Sequence, residues 1–133
     1  MNEPVGETFN PKVMLIEDDE SMLSILKTLL DYEGFQIVAV EKNQQIESVT
    51  DIIEMLRKES PDLLLLDIFF RQINGLDVLR ALRDDAQVSG TRVLISSGMD
   101  LSSDCHQAGA DGFLLKPYMP DDLIQTIRDL IRV

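Results

Sequence analysis

The sequence has little of several things that would place it in a particular class. Cys105 is its one cysteine, so no disulfide can form within the chain, and we expect a reducing, cytoplasmic setting. No apolar run approaches the roughly 18 residues that a membrane span needs. The N-terminus lacks the basic and apolar blocks of a secretory signal. These absences predict a protein with no membrane insertion.

Basic residues are also scarce. The chain has 12 Lys and Arg against 24 Asp and Glu, which gives a formal net charge of −12. Because contacts from Lys and Arg to phosphates dominate affinity for nucleic acids, this balance argues against direct binding to DNA or RNA. The expected partners are therefore other proteins, or a cation collected by clustered carboxylates.

The length of 133 residues suits one compact domain. Residues 1–11 contain Pro4, Gly6, Asn10 and Pro11 without apolar periodicity, which predicts a flexible leader. Residues 12–133 are then predicted to form the domain.

Short apolar segments alternate with segments of helical period through this domain. Strands are predicted at 13–16, 35–40, 63–66, 93–96 and 112–115. Helices are predicted from 21 to Gly34, from 49 to Pro61, around 76–82, within 101–108 and from near 120, the fourth having at most two turns. This alternation predicts an α/β fold, a single doubly wound five-stranded parallel sheet flanked by five helices.

Asp67 follows four consecutive leucines, a pattern typical of a strand buried on both faces. Taken alone, it could equally be a solvated aspartate that ends a strand. Other strands, however, end in Glu17 and Asp18, in Ser97 and in Lys116. The carboxyl ends of parallel strands meet at one edge of a sheet, which is where such folds bind ligands. The sequence therefore predicts that these side chains converge.

Three carboxylates at one edge would repel one another unless a cation joined them. An all-oxygen site suits Mg²⁺, which takes one or two carboxylates together with water and phosphate oxygens. Lys116 and Ser97 add a positive charge and a hydrogen-bond donor, which can stabilise a phosphoryl group in transfer. Asp67 would be the nucleophile, since carboxylates form aspartyl phosphates.

In this order, Glu17-Asp18, Asp67, Gly75, Ser97 and Lys116-Pro117 resemble the receiver (CheY-like) domains of bacterial two-component response regulators. The resemblance covers essentially the whole chain and implies a flavodoxin-like fold. It implies that a histidine kinase or phosphotransfer protein phosphorylates Asp67 in a two-component system or phosphorelay. The phosphorylated protein would then change its binding to an unknown downstream protein.

The same resemblance implies a metal site. Asp18 and Asp67 would hold Mg²⁺, with the Phe69 backbone carbonyl as a further ligand and Glu17 acting largely through water. Lys116 would pair with the phosphoryl group.

It also implies a switch formed by the hydroxyl of Ser97 and the ring of Phe113, while Gly98 leaves room for the phosphoryl group. In receivers, polar groups two residues after the nucleophile and two after the switch hydroxyl assist hydrolysis of the aspartyl phosphate. Here those places hold Phe69 and Met99, which predicts slow hydrolysis.

The sequence departs from the family pattern in several places. Arg71 stands where proline is common, and Asn74 stands where aspartate is common. The chain is longer than usual around 41–47 and shorter than usual between 97 and 116, so ordinary dimerisation through the fourth helix is in doubt. Met119 occupies a position where Ser or Asp would cap a helix.

Two alternatives remain open from the residues. One is a phosphohydrolase with an aspartyl nucleophile, although Phe69 stands where such enzymes usually carry an acid. The other is an interaction module of the receiver fold that acts without phosphorylation. In the preferred interpretation, the protein is not a classical enzyme, and its chemistry is limited to phosphotransfer to Asp67 and autodephosphorylation.

Overall fold

The computed structural model describes residues 10–131. Residues 1–9 of the predicted leader lie outside this range. The last two leader residues are held: the Pro11 carbonyl accepts the Gln36 backbone N–H at 2.8 Å, and the Asn10 carbonyl accepts the Gln36 side-chain amide at 2.8 Å. Hydrogen bonding to the sheet therefore begins before the predicted domain boundary.

The described chain forms one main sheet, a small hairpin and five helices. In chain order the elements are β1 Lys12–Ile16, α1 Glu20–Tyr32, β2 Gln36–Ala39, α2 Val49–Glu59, β3 Leu63–Asp67, β4 Phe69–Phe70, β5 Ile73–Asn74, α3 Gly75–Asp84, β6 Arg92–Ser97, α4 Ser102–Gln107, β7 Gly112–Leu115 and α5 Pro120–Ile131. The main sheet has the order β2-β1-β3-β6-β7, and every neighbouring pair is parallel. This confirms the predicted five-stranded parallel sheet with five helices.

Alternate residues of the central strands serve two hydrophobic cores. In β3, Leu63 and Leu65 pack with α1 and α5, whereas Leu64 and Leu66 pack with α2 and α3 on the opposite face. All four leucines are at most 2% exposed. The leucine run is therefore a strand buried on both faces, as predicted, because helices cover each side.

Side chains cap the helices that lead away from the site. Asp19 caps α1 by accepting the Met22 N–H at 3.0 Å, and Asn74 caps α3 by accepting the Leu76 N–H at 2.8 Å. Ser48 and Asp51 form a reciprocal capping box at the start of α2. These caps fix where the loops after the strands end and the helices begin.

Two details differ from the sequence expectation or sharpen it. The helical spacing of apolar residues in the sequence predicts a core face made of Met22, Ile25, Leu26, Leu29 and Leu30. In the structure, Ile25 is 58% exposed, and Leu23 is part of the core instead. Helix α4 has six residues, which confirms the predicted short fourth helix. Between residues 10 and 131, no helix is long and apolar enough to cross a membrane.

Candidate functional site

The carboxyl edge of the main sheet gathers polar residues from four strands. Asp67 is the last residue of β3, and Ser97 is the last of β6. Glu17 directly follows β1, and Lys116 directly follows β7. Strands of one parallel sheet end side by side, so this edge brings together residues that are up to 99 positions apart in sequence.

Lys116 joins Glu17 and Asp67 in a compact charged cluster. Its Nζ lies 3.0 and 3.3 Å from the two carboxylate oxygens of Glu17 and 3.6 Å from Oδ2 of Asp67. The side chain of Glu17 is 4% exposed and that of Asp67 is 13% exposed. Lys116 is thus primarily the partner of Glu17, and Asp67 has the weaker share of its charge.

The environment of Asp67 disfavours its charged form. Burial and the neighbouring negative charge of Glu17 raise the pKa of Asp67 to about 6. Lys116 and the backbone N–H of Asp18 oppose this shift but do not cancel it. Two carboxyl groups that share one ammonium in a partly dry site account for the direction of the shift. Above this pKa, Asp67 is an ionised carboxylate whose charge is only partly compensated.

Asp18 lies beside this cluster but is held by a different group. Its Oδ2 accepts the backbone N–H of Arg71 at 3.2 Å. Within residues 10–131, no group of three or more His, Cys, Asp or Glu side chains is assembled to hold a metal ion. A magnesium site needs only one or two carboxylates, since water and other oxygens complete its shell. The acidic oxygens of Asp18, Glu17 and Asp67, with their charge only partly offset by Lys116, fit such a hard cation.

The predicted switch residues occupy different environments. Ser97 is 2% exposed, and its Oγ accepts the Met99 backbone N–H at 3.0 Å. Phe113 is partly buried against the core that contains α2 and α3. A Cβ placed on Gly98 would meet no atom within 4 Å, so space is open beside Ser97. The functional roles of these residues remain predictions.

A tight hairpin follows Asp67 and was not predicted from the sequence. Strands β4 and β5 pair antiparallel, and the turn between them places Arg71 in the left-handed region at φ +55°. The chain then returns to Ile68, whose carbonyl accepts the Gly75 N–H at 2.6 Å. A Cβ on Gly75 would lie 3.0 Å from backbone atoms of Ile68, so this close return requires glycine.

Two residues at this edge were not assigned a role from the sequence. In the sequence, Arg71 stands out only as a departure from proline, and Tyr118 indicates either a partner surface or packing. Tyr118 has a buried hydroxyl with no hydrogen-bond partner in the described part of the chain. Burial, followed by the charges of Glu17 and Asp67, raises the pKa of Tyr118 to about 12. These features depend on contacts between distant segments, which no local pattern encodes.

Comparison with known proteins gives consistent results. The family model for the response regulator receiver domain matches residues 13–128. The transcriptional regulatory protein CpxR of Escherichia coli K12 is 34% identical over 122 residues, covering 91% of this chain and 49% of that protein. A nitrate/nitrite response regulator protein homolog of Haemophilus influenzae is 36% identical over 121 residues, covering 88% and 55%. This chain thus spans about half the length of these relatives.

A solved structure supports the fold. The receiver domain of a sensor histidine kinase from Pseudomonas aeruginosa PAO1 aligns with a TM-score of 0.79, covering 94% of this chain and 100% of that one. At 16% identity, this similarity bears on the fold alone. That protein is described with a magnesium ion coordinated in its active site cleft.

Proposed function

This chain belongs to the response regulator receiver domain family, and we propose that Asp67 is its phosphoacceptor, charged by a histidine kinase or a phosphotransfer protein. The observation that carries the proposal is the cluster of Glu17, Lys116 and Asp67 at the carboxyl edge of the sheet. It places one nucleophilic carboxylate, a second carboxylate and one ammonium within contact distance. Receiver domains act in two-component signalling and are not classical enzymes.

The chemistry follows from the positions of these groups. With a pKa of about 6, Asp67 is mostly ionised near neutral pH and can attack the phosphorus atom of a phosphodonor. A bond forms between a carboxylate oxygen and phosphorus while the bond to the donor's leaving group breaks, which yields an aspartyl phosphate. Lys116 lies 3.6 Å from Asp67, so it can turn from Glu17 to an oxygen of the phosphoryl group.

Mg²⁺ would be held by Asp18, Asp67 and the Phe69 backbone carbonyl, with Glu17 acting largely through water. When bound, this ion would neutralise negative charge on the acidic edge and on the phosphoryl oxygens. Its ligand set in this chain is part of the proposal. Burial and the charge of Glu17 raise the pKa of Asp67, and a bound cation would offset both effects.

The signal would leave the site through Ser97 and Phe113. Ser97 Oγ now accepts the Met99 N–H, and its own proton is available to a phosphoryl oxygen. Movement of the Ser97 hydroxyl toward that oxygen would open space toward the partly buried ring of Phe113. A change in the position of that ring would alter the surface offered to a partner protein. Because the net charge is −12, we propose that this partner surface contacts protein rather than nucleic acid.

The proposal is tested by phosphorylation with acetyl phosphate, followed by intact-mass spectrometry. Wild type should gain one phosphoryl group when Mg²⁺ is present, and Asp67→Asn should gain none. Asp121→Asn, which changes an exposed acid in the first turn of α5, is the matched control and should label like wild type. Equal labelling of wild type and Asp67→Asn would remove Asp67 from the role. A wild type that cannot be labelled would favour an interaction module that acts without phosphorylation.

A further inference from the structure

Arg71 binds a distant segment with its side chain. Its Nη1 donates to the carbonyls of Gln44 at 2.7 Å and Ile46 at 3.1 Å. Its Nη2 donates to the carbonyls of Glu41 at 3.1 Å and Lys42 at 3.2 Å. One guanidinium therefore holds four carbonyls of the 41–47 segment, which connects β2 to α2. Fixed, planar donors suit this task better than the single ammonium of lysine.

The rest of the 41–47 segment has few other ties to the domain. Ile46 is its one buried residue, at 9% exposed. Glu41 pairs with Lys27 at 2.8 Å and Lys42 pairs with Glu20 at 3.4 Å, but all four side chains are more than 40% exposed. Exposed pairs contribute little to order. Arg71 is thus the principal polar anchor of this segment.

The backbone of the same residue contacts the acidic site. The Arg71 N–H donates to Oδ2 of Asp18 at 3.2 Å, from a left-handed conformation that an L-residue rarely adopts. The guanidinium lies 4.9 Å from the centre of the Phe70 ring, which further limits how the turn can move. Side chain and backbone of Arg71 therefore connect the 41–47 segment directly to Asp18.

We propose that Arg71 is a positioning residue for the cation site and couples it to the 41–47 segment. The inference rests on the proposed function, in which Asp18 is a ligand of Mg²⁺. The Arg71 N–H restrains the Asp18 carboxylate by binding one of its oxygens, and the other oxygen remains available to a cation. Because the side chain is already restrained, Asp18 loses less conformational entropy when the cation binds. The four carbonyls hold the guanidinium, and the guanidinium holds the turn that presents this N–H.

The coupling predicts a reciprocal effect in the unaltered protein. If order in the 41–47 segment favours Mg²⁺ binding, then Mg²⁺ must favour order in the segment by the same factor. Backbone amides of 41–47 should therefore exchange hydrogen more slowly when Mg²⁺ is added. Unchanged exchange in a wild type that binds Mg²⁺ would overturn the proposal.

Two substitutions of Arg71 distinguish the contribution of its side chain to Mg²⁺ binding from that of the backbone turn. Isothermal titration with Mg²⁺ should show about tenfold weaker binding for Arg71→Ala, in line with the loss of groups that orient metal ligands. Arg71→Gly removes the whole side chain but suits the positive φ, so it should weaken binding equally without adding backbone strain. If Arg71→Gly binds like wild type, the side chain does not position the site.

Lys27→Ala is the matched control, because it removes another bond to the same segment without touching Asp18. It should leave Mg²⁺ affinity unchanged, and a loss equal to that of Arg71→Ala would overturn the specific role of Arg71. Urea unfolding without Mg²⁺ checks that each variant is folded. Failure of wild type to bind Mg²⁺ would refute the proposed cation site and the coupling with it. Normal binding by wild type and by both Arg71 variants would refute the coupling alone.

Discussion

The acidic residues at the two edges of the main sheet differ in how well hydrogen-bond donors and cations compensate their charge. At the amino edge, Asp62 accepts the Lys12 N–H and Asp111 accepts the Val93 N–H, each at 2.8 Å. Asp111 also accepts from the Arg83 guanidinium at 2.7 Å. Each of these acids thus accepts a backbone N–H from a neighbouring strand, and hydrogen-bond donors compensate its negative charge.

At the carboxyl edge, Asp67 is more buried than Asp111 but less well paired. The Asp67 side chain is 13% exposed, against 28% for Asp111, and its nearest cation is shared with Glu17. A carboxylate that is buried and incompletely paired costs folding free energy, and its pKa rises accordingly. Asp62 and Asp111, which bond to neighbouring strands, therefore lie at the opposite end of the sheet from Asp67. Perturbed groups of this kind cluster at functional sites.

Among the substitutions that test this difference between the edges, Arg83→Ala at the amino edge should have the largest effect on stability. Arg83 donates to the carbonyls of Gly109, Ser89 and Thr91 as well as to Asp111. Its loss leaves several acceptors and one carboxylate without a donor, so the free energy of unfolding should fall by about 3 kcal/mol.

Urea unfolding measures this change, and Arg80→Ala is the control on the same helix. Arg80 pairs with Asp77 at 3.5 Å with both side chains 61% exposed, so its removal should change stability by less than about 0.5 kcal/mol. A similar loss in both variants would show that the Arg83 contacts are not special.

The next effect has the opposite sign and lies at the carboxyl edge. Asp67→Asn removes a charge from the site and supplies an amide donor toward Glu17, so it should stabilise the protein by about 1–2 kcal/mol at neutral pH. The folded pKa of Asp67, about 6, is above the ordinary 3.8, so the folded protein binds this proton more tightly than the unfolded chain. Stability from this group is therefore present below about pH 4 and is lost as pH rises through about 6.

Unfolding at pH 4.5, 5.5, 6.5 and 7.5 tests this linkage as a difference between the two proteins. The advantage of Asp67→Asn should grow up to about pH 6.5 and then stay constant. An advantage that does not depend on pH would contradict the assignment to the Asp67 carboxylate.

A third prediction concerns the two exposed apolar side chains at the carboxyl edge. Phe69 and Met99 are 50% and 55% exposed, and neither side chain can hydrogen-bond a water that attacks an aspartyl phosphate. Phe69→Asn should speed decay of the phosphorylated state about tenfold, equivalent to about 1.4 kcal/mol of barrier, without preventing phosphorylation. Loss of the phosphoryl mass over time in both proteins gives the two rates. An unchanged rate would mean that Phe69 does not protect the phosphoryl group.

Much of this architecture could be predicted from the sequence because it follows from local patterns. The leucine run before Asp67 required burial on two faces, and the alternation of strand and helix lengths required a parallel sheet. Topology then placed Glu17, Asp67 and Lys116 at one edge without further information. The family assignment rests on the same residues and is confirmed by the match over residues 13–128.

The remaining features depend on distances that no local pattern contains. Arg71 finds its acceptors 25 to 30 positions earlier in the chain, on backbone carbonyls, which leave no trace in side-chain composition. Whether Lys116 contacts Glu17 or Asp67 more closely is a matter of tenths of an ångström. The hairpin of β4 and β5 has two residues per strand, too short for a period to be visible.

The smallest expected effect is at Tyr118. It tests whether an uncharged polar group at the carboxyl edge also lowers the free energy of unfolding. The Tyr118 hydroxyl is buried and has no hydrogen-bond partner within residues 10–131. Since a buried, unpaired hydroxyl destabilises the folded state, Tyr118→Phe should raise the free energy of unfolding by about 0.5–1 kcal/mol. Tyr32, the other tyrosine, is 86% exposed, so Tyr32→Phe is the matched control and should leave stability unchanged. Urea unfolding of the three proteins at neutral pH decides the matter. A Tyr118→Phe protein less stable than wild type would show that the hydroxyl has a partner, such as an ordered water, and that this part of the edge is as fully bonded as the amino edge.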